Sequence, residues 1–216
     1  SAALKKAEKA LLDLVCDKSN DGPVARYLNR PISLFFSRHL AKLDITPNHI
    51  SLFSFLCSLL AAGLFALGGY PALLVCGVLA QFASIVDGCD GEVARLKYQS
   101  SDFGGWFDAV LDRYADAFLL FGLTWHVLAI EANAWVLLTG FMAIIGSFML
   151  SYTADKYDSL MRQKIRARNA WLRMGRDVRV FVVFLGAATN LVFPALVLIA
   201  VIMNLETLRR IRVAYE

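Results

Sequence analysis

Histidine and cysteine are scarce in this chain, with 3 and 4 among 216 residues. Cys16, Cys57, Cys76 and Cys89 form no CxxC pair, and two of them lie inside apolar runs. They read as reduced apolar filler, not as a disulfide framework or thiol metal site. With 58% hydrophobic residues and only 5 prolines and 14 glycines, disorder and collagen are excluded. No internal repeat, low-complexity segment or secretory signal peptide is visible. An initiator Met is lacking too: the chain opens Ser1-Ala2-Ala3, so it is expected to be a piece of something longer.

The most informative absence is charge. The chain has 22 Lys+Arg and 18 Asp+Glu, yet none falls between Ile50 and Phe82, Ala117 and Ile130, Ala132 and Ala154, or Val180 and Asn204. A membrane-crossing helix needs about 20 mostly apolar residues. The runs predict an all-α, polytopic membrane protein with six spans over 50–68, 71–95, 104–129, 133–154, 178–191 and 194–208. With the N-terminus in the cytoplasm, the outer loops fall near Gly68–Pro71, Ile130–Asn133 and Asn190–Pro194. None of the three carries Lys or Arg, which is the positive-inside pattern. Both termini are therefore expected on the cytoplasmic side of the cell membrane.

Three units are expected. Residues 1–20 read as a helical connector, with Leu4, Leu11, Leu12 and Val15 on one side of a helix over Ala2 to Asp17. Residues 21–45 contain an interfacial amphipathic helix over Pro31 to Leu43, whose Arg38 and Lys42 can reach lipid headgroups. Residues 46–216 form the six-helix domain, opened by Thr46 as a cap and Pro47 in the first turn. Between spans, Asp155 to Arg179 is the largest hydrophilic segment, with eight basic residues and three acids. It serves topology and anionic-lipid contact, or part of it forms an anionic-substrate pocket.

Six acids lie in or at the ends of spans two and three: Asp87, Asp90, Glu92, Asp108, Asp112 and Asp116. A charge at mid-membrane costs about 2.5–3.5 kcal/mol even on the lenient insertion scale. On a helix, Asp87 and Asp90 lie about 60° apart. Gly104, Asp108 and Asp112 step at i, i+4, i+8, each about 40° round from the last, and Asp116 continues the row. Leu96 to Phe103 is a short connection, so the two spans are antiparallel neighbours, with Ser101 or Asp102 capping the second. Two carboxylate rows then face each other near the cytoplasmic edge.

Such a cluster needs countercharge. Arg95 and Arg113 offer two charges, and two divalent cations would cancel Asp87, Asp90, Asp108 and Asp112. No His or Cys joins them, and an all-oxygen site suits Mg²⁺ or Mn²⁺. Gly88, Gly91, Gly104 and Gly105 let a ligand approach the backbone or let the helices pack closely. Other readings stand beside this one. The acids are a transporter's proton or cation path, or buried salt bridges to Arg95 and Arg113, or the chain is a non-catalytic anchor for an upstream domain. Against transport, the outer halves of the spans hold no ionisable residue except His126 and Glu131.

The residues Asp87-x-x-Asp90-Gly91-x-x-Ala94-Arg95, then eight residues, then Gly104-x-x-x-Asp108-x-x-x-Asp112 are similar to the signature of the CDP-alcohol phosphotransferases. The resemblance takes in Thr46-Pro47-Asn48 and the six-span layout, from about residue 25 onward. It implies transfer of the alcohol phosphate of a CDP-alcohol to a hydroxyl acceptor, with release of CMP. It implies two divalent metals, Mg²⁺ or Mn²⁺, on Asp87, Asp90, Asp108 and Asp112, with Asp112 also the general base. Thr46, Asn48, Gly91, Ala94, Arg95, Ser101 and Gly104 would contact or admit the nucleotide. Asp112-Arg113-Tyr114-Ala115-Asp116 resembles members that use inositol phosphates, and an acceptor phosphate would be met by Asp116, Arg166, Arg168, Arg173, Arg176 or Arg179. A homodimer is implied, as are membrane lipids as neighbours. Some members carry an upstream cytidylyltransferase domain, which the connector would suit. No nucleic-acid partner is expected.

Overall fold

A computed structural model describes residues 22–168 and 175–215, and the side chains among them except those of 154–168, 213 and 214. The predicted helix over Ala2 to Asp17 lies outside the described residues. Among those described, the structure is helical throughout. A short π-helical turn, Ala25–Asn29, leads into α1 (Arg30–Leu40). Six longer elements follow: α2 (Pro47–Phe65), α3 (Tyr70–Leu96), α4 (Asp102–Ile130), α5 (Ala134–Arg168), α6 (Arg176–Ala188) and α7 (Val192–Tyr215). The apolar runs thus mark six helices, within a few residues at most ends.

Local chemistry explains the boundaries. Pro47 sits in the first turn of α2, where its missing N–H is no loss. Gly68 and Gly69 adopt φ of +75° and +83° in the turn between α2 and α3, a region open to glycine. Ser101 caps α4 by accepting the Gly104 N–H at 3.0 Å. Thr46 departs from expectation. It is extended before α2 but does not cap with its hydroxyl, which pairs instead with His49 Nδ1 at 3.2 Å. The segment from Asp155 departs as well, because α5 continues as helix to Arg168 instead of ending with its apolar run. Hydropathy registers lipid contact; it does not register a helix that outlasts it.

The helices close a ring, α3–α2–α4–α5–α7–α6 and back to α3, with α1 laid against α3. Phe65, Leu73, Leu123, Leu196 and Ile199 fill its centre. Small residues bring helices close: a Cβ on Gly122 would stand 2.5 Å from the Ala62 carbonyl oxygen. The outward surface is apolar, with Leu60, Val75, Phe121, Phe141 and Val201 all about half exposed. Such a surface belongs against lipid, and this is a membrane protein. Among the described residues, four stretches are long and apolar enough to cross a bilayer: Pro47–Phe65, Tyr70–Leu96, Ala134–Thr153 and Val192–Arg212. Acids interrupt the first half of α4, and the 13 residues of α6 reach only about 20 Å.

In α1 the usual arrangement is inverted. Ser33 and Ser37 are buried while Phe35 is 61% exposed. The inward serines meet Glu92 on α3, which is fully buried. Its Oε1 accepts from Arg30 Nη1 and Ser33 Oγ, both at 2.7 Å, and its Oε2 from Ser37 Oγ at 2.6 Å. One acid among the six is thereby a fastening between α1 and α3.

Candidate active site

Carboxylates of α3 and α4 do meet, although the two helices are not the packed neighbours that their short connection predicts: α2 stands between them and packs on both. Asp87, Asp108 and Asp112 each offer one oxygen, all within 4.8 Å of one another. Asp90 is placed differently. Its carboxylate accepts Ser51 Oγ at 2.5 Å and the Gly91 N–H, and it lines an adjoining pocket together with Asp108. Asp87 accepts Ser54 Oγ at 3.0 Å. Two α2 hydroxyls thus orient two α3 carboxylates. They were legible only as serines at i and i+3 on an otherwise apolar helix.

The countercharge comes from an unexpected direction. Arg176, at the start of α6, places Nη1 2.5 Å from both Asp87 Oδ2 and Asp112 Oδ1. Its Nε lies 3.5 Å from Asp116 Oδ1. Burial opposes its charge, and Asp112, Asp87 and Asp116 outweigh that, holding the guanidinium well above its ordinary value. Arg95 does not serve this role; it is exposed, beside Gly91 at the pocket. Arg113 approaches Asp112 only to 4.0 Å. One turn deeper, buried Asp116 binds Arg179, itself buried, and accepts Ser147 Oγ at 3.3 Å. Asp177 accepts the Ala25 N–H at 2.8 Å, which ties the start of α6 to the first turn.

The pocket beside the acids has a volume of about 170 Å³. Asn48, Gly91, Ala94, Arg95, Ser101 and Gly104 line it, six of the seven residues expected around a nucleotide. Thr46 does not, although its neighbour Pro47 does. Gly105 lines it too, as one of the four glycines noted in the sequence, and Gln99 and Ser100 join without any sequence signal. The lack of side chains at Gly91 and Gly104 keeps this space open. A Cβ at Gly104 would meet Ser101 Oγ at 3.1 Å and Asn48 Oδ1 at 3.3 Å. Of the residues expected at an acceptor, Asp116, Arg176 and Arg179 come together; the side chains of Arg166, Arg168 and Arg173 lie outside the described residues.

The donor set suits a hard divalent cation. It is carboxylate oxygen throughout, and Asp108 Oδ1 is buried without a hydrogen-bond partner, an atom that a cation would satisfy. A metal site beside a small pocket lined by glycines, hydroxyls and Arg95 can hold a charged phosphate ester and neutralise its leaving group.

Comparison with known proteins gives the family and the fold. Residues 44–208 match the family model described as CDP-alcohol phosphatidyltransferase. The chain is 40% identical over 192 residues to a "bifunctional IPC transferase and DIPP synthase" of Rubrobacter xylanophilus, covering 89% of this chain and 42% of that protein. It is 31% identical over 175 residues to the archaetidylinositol phosphate synthase of Pyrococcus horikoshii, covering 80% and 85%. The chain therefore spans less than half the length of the bifunctional relative. Its fold is like that of the Mycobacterium tuberculosis phosphatidylinositol phosphate synthase with CDP-DAG bound, with a TM-score of 0.66 at 22% identity over 87% of this chain and 94% of that one. The same mycobacterial protein is also known in complex with manganese and citrate.

Proposed function

The chain belongs to the CDP-alcohol phosphatidyltransferase family, and from that premise we propose that it transfers the phosphoalcohol group of a CDP-alcohol to a hydroxyl acceptor, releasing CMP. The observation that carries this reading is the convergence of Asp87, Asp108 and Asp112 beside the pocket of Asn48, Gly91, Arg95 and Gly104. Asp87, Asp90, Asp108 and Asp112 would hold two divalent ions, Mg²⁺ or Mn²⁺. Bound there, the ions would neutralise charge developing on the diphosphate. The cytidine end would occupy the pocket, with Gly91, Ala94 and Gly104 leaving it room and Asn48, Ser101 and Arg95 offering polar contacts. Thr46 would act only through the turn that leads to Pro47.

The reaction forms one bond and breaks one. The acceptor oxygen bonds to the phosphorus that carries the alcohol. The bond from that phosphorus to the CMP oxygen breaks, and CMP leaves with the electron pair. The acceptor proton goes to an Asp112 carboxylate oxygen. Asp116 holds Arg176 and Arg179 in place, so that both guanidiniums form an anion-binding wall beside Asp112. A phosphorylated acceptor of the inositol phosphate type suits that wall, and the names of the relatives support this choice. Arg166, Arg168 and Arg173 would extend it. We place the site at the cytoplasmic edge of a six-span bundle, with α1 at the interface and the protein as a homodimer.

The test is a product screen. Purified protein, a panel of CDP-alcohols and free or phosphorylated polyol acceptors are incubated with Mg²⁺ or Mn²⁺, and products are detected by mass. CMP together with an inositol phosphate adduct is expected. Absence of CMP from every donor would overturn the transferase reading and leave the acids to a transport or ion-binding role.

A further inference from the structure

Two walls of the pocket come from separate parts of the chain, and one side chain joins them. The first wall is the start of α2, with Pro47, Asn48 and Ser51; the second is the turn after α3, with Gln99, Ser100 and Ser101. At the end of α3, Tyr98 takes φ of +56°. The Gln99 N–H returns to the Ala94 carbonyl at 2.8 Å and the Tyr98 N–H to the Arg95 carbonyl at 3.3 Å. This left-handed cap fixes the backbone at Lys97. From that fixed point, Lys97 Nζ donates to the Leu43 carbonyl at 2.5 Å and the Ile45 carbonyl at 2.8 Å. Those two residues belong to the turn that leads into Pro47 and Asn48. Charge-assisted bonds to two carbonyls of one turn restrain it more than a neutral contact would.

The opposite end of that stretch is anchored as well. Glu92 holds Arg30, Ser33 and Ser37 of α1. The chain from α1 to α2 is therefore tied to α3 at two points, and these points flank the pocket-lining Ala94 and Arg95. Asn48 follows directly on the turn held by the second tie, and its Oδ1 would stand 3.3 Å from a Cβ placed on Gly104.

We propose that Lys97 is a positioning residue for the nucleotide donor: it clamps the turn before α2 onto the cap of α3 and so fixes the spacing of the pocket's two walls. Glu92 is the companion anchor. The inference rests on the transferase reading for the identity of the ligand, but the clamp itself is a statement about this chain.

Lys97→Met removes the donors at similar length, and Lys97→Arg restores charge and hydrogen bonding. Two measurements test the clamp in purified protein. In amide hydrogen exchange, Lys97→Met is expected to speed exchange across residues 42–50 while α5 and α7 exchange as in the parent. In kinetics, it is expected to raise the CDP-alcohol KM about fivefold or more, with kcat and acceptor KM within about twofold and most of the effect recovered in Lys97→Arg. Unchanged exchange over 42–50 overturns the clamp. So does an unchanged donor KM, or a fall in kcat with equal loss at both substrates, which is the signature of general loosening. A parent protein that releases no CMP overturns the transferase reading, and the exchange measurement still decides on the clamp.

Discussion

Arg176→Gln separates two roles for the arginine that sits among the acids. Its Nη1 is 2.5 Å from oxygens of both Asp87 and Asp112, so a cation held by those carboxylates has a guanidinium as its neighbour. Two unit charges about 5 Å apart repel by about 3 kcal/mol at an effective dielectric of about 20. A divalent ion doubles that figure, and the long arginine side chain relieves much of it by turning away. Removing the charge is therefore expected to tighten divalent binding at least about tenfold, which corresponds to about 1.4 kcal/mol. The same change strips charge from the anion-binding wall, so a phosphorylated acceptor should bind more weakly. Titration of Mn²⁺ onto purified protein, followed by spin resonance or calorimetry, reads the first effect without turnover; acceptor KM at saturating metal reads the second. Metal affinity that is unchanged or weaker in Arg176→Gln would refute the electrostatic reasoning. A tighter metal with an unchanged acceptor KM would confine Arg176 to charge balance.

Ser54→Ala removes the hydroxyl that orients Asp87 and is expected to weaken Mn²⁺ binding about 10- to 100-fold, as loss of outer partners of metal ligands does; direct titration checks it. Glu92→Ala takes away the acceptor shared by Arg30, Ser33 and Ser37 and should lower stability by about 3–5 kcal/mol, with Glu92→Gln milder, by thermal unfolding in detergent. Gly122→Ala drives a Cβ to 2.5 Å from the Ala62 carbonyl oxygen, at a cost of about 1–3 kcal/mol. Gly63→Ala meets nothing within 4 Å and serves as its control in the same assay.

What the sequence reveals and hides follows from range. The Asp108–Asp112 row and the Asp87–Asp90 pair are periodic within single helices, so the acids are legible from spacing, whereas the place of α2 between those helices and the separate setting of Asp90 are not. The apolar runs likewise mark the six helices. Arg176 is legible as a candidate for an acceptor phosphate, but its pairing with Asp87 and Asp112 is hidden because it reaches them from α6, far along the chain, whereas Arg95 and Arg113 suggest themselves merely by lying on the acids' own helices. Glu92 reads as one more acid of the cluster because its partners lie on α1. The serine hydroxyls at Ser51 and Ser54 carry no charge and sit in a run read for hydropathy. Their value is set by the carboxylates across the interface.

The most direct test of the central claim is metal-dependent release of CMP from a CDP-alcohol, in the parent protein and in Asp112→Asn. CMP is expected only when donor, acceptor and Mg²⁺ or Mn²⁺ are all present, and Asp112→Asn should lower kcat by about 10²–10⁴-fold. A parent protein that forms no CMP from any donor would contradict the claim, and full turnover by Asp112→Asn would contradict the role given to that carboxylate.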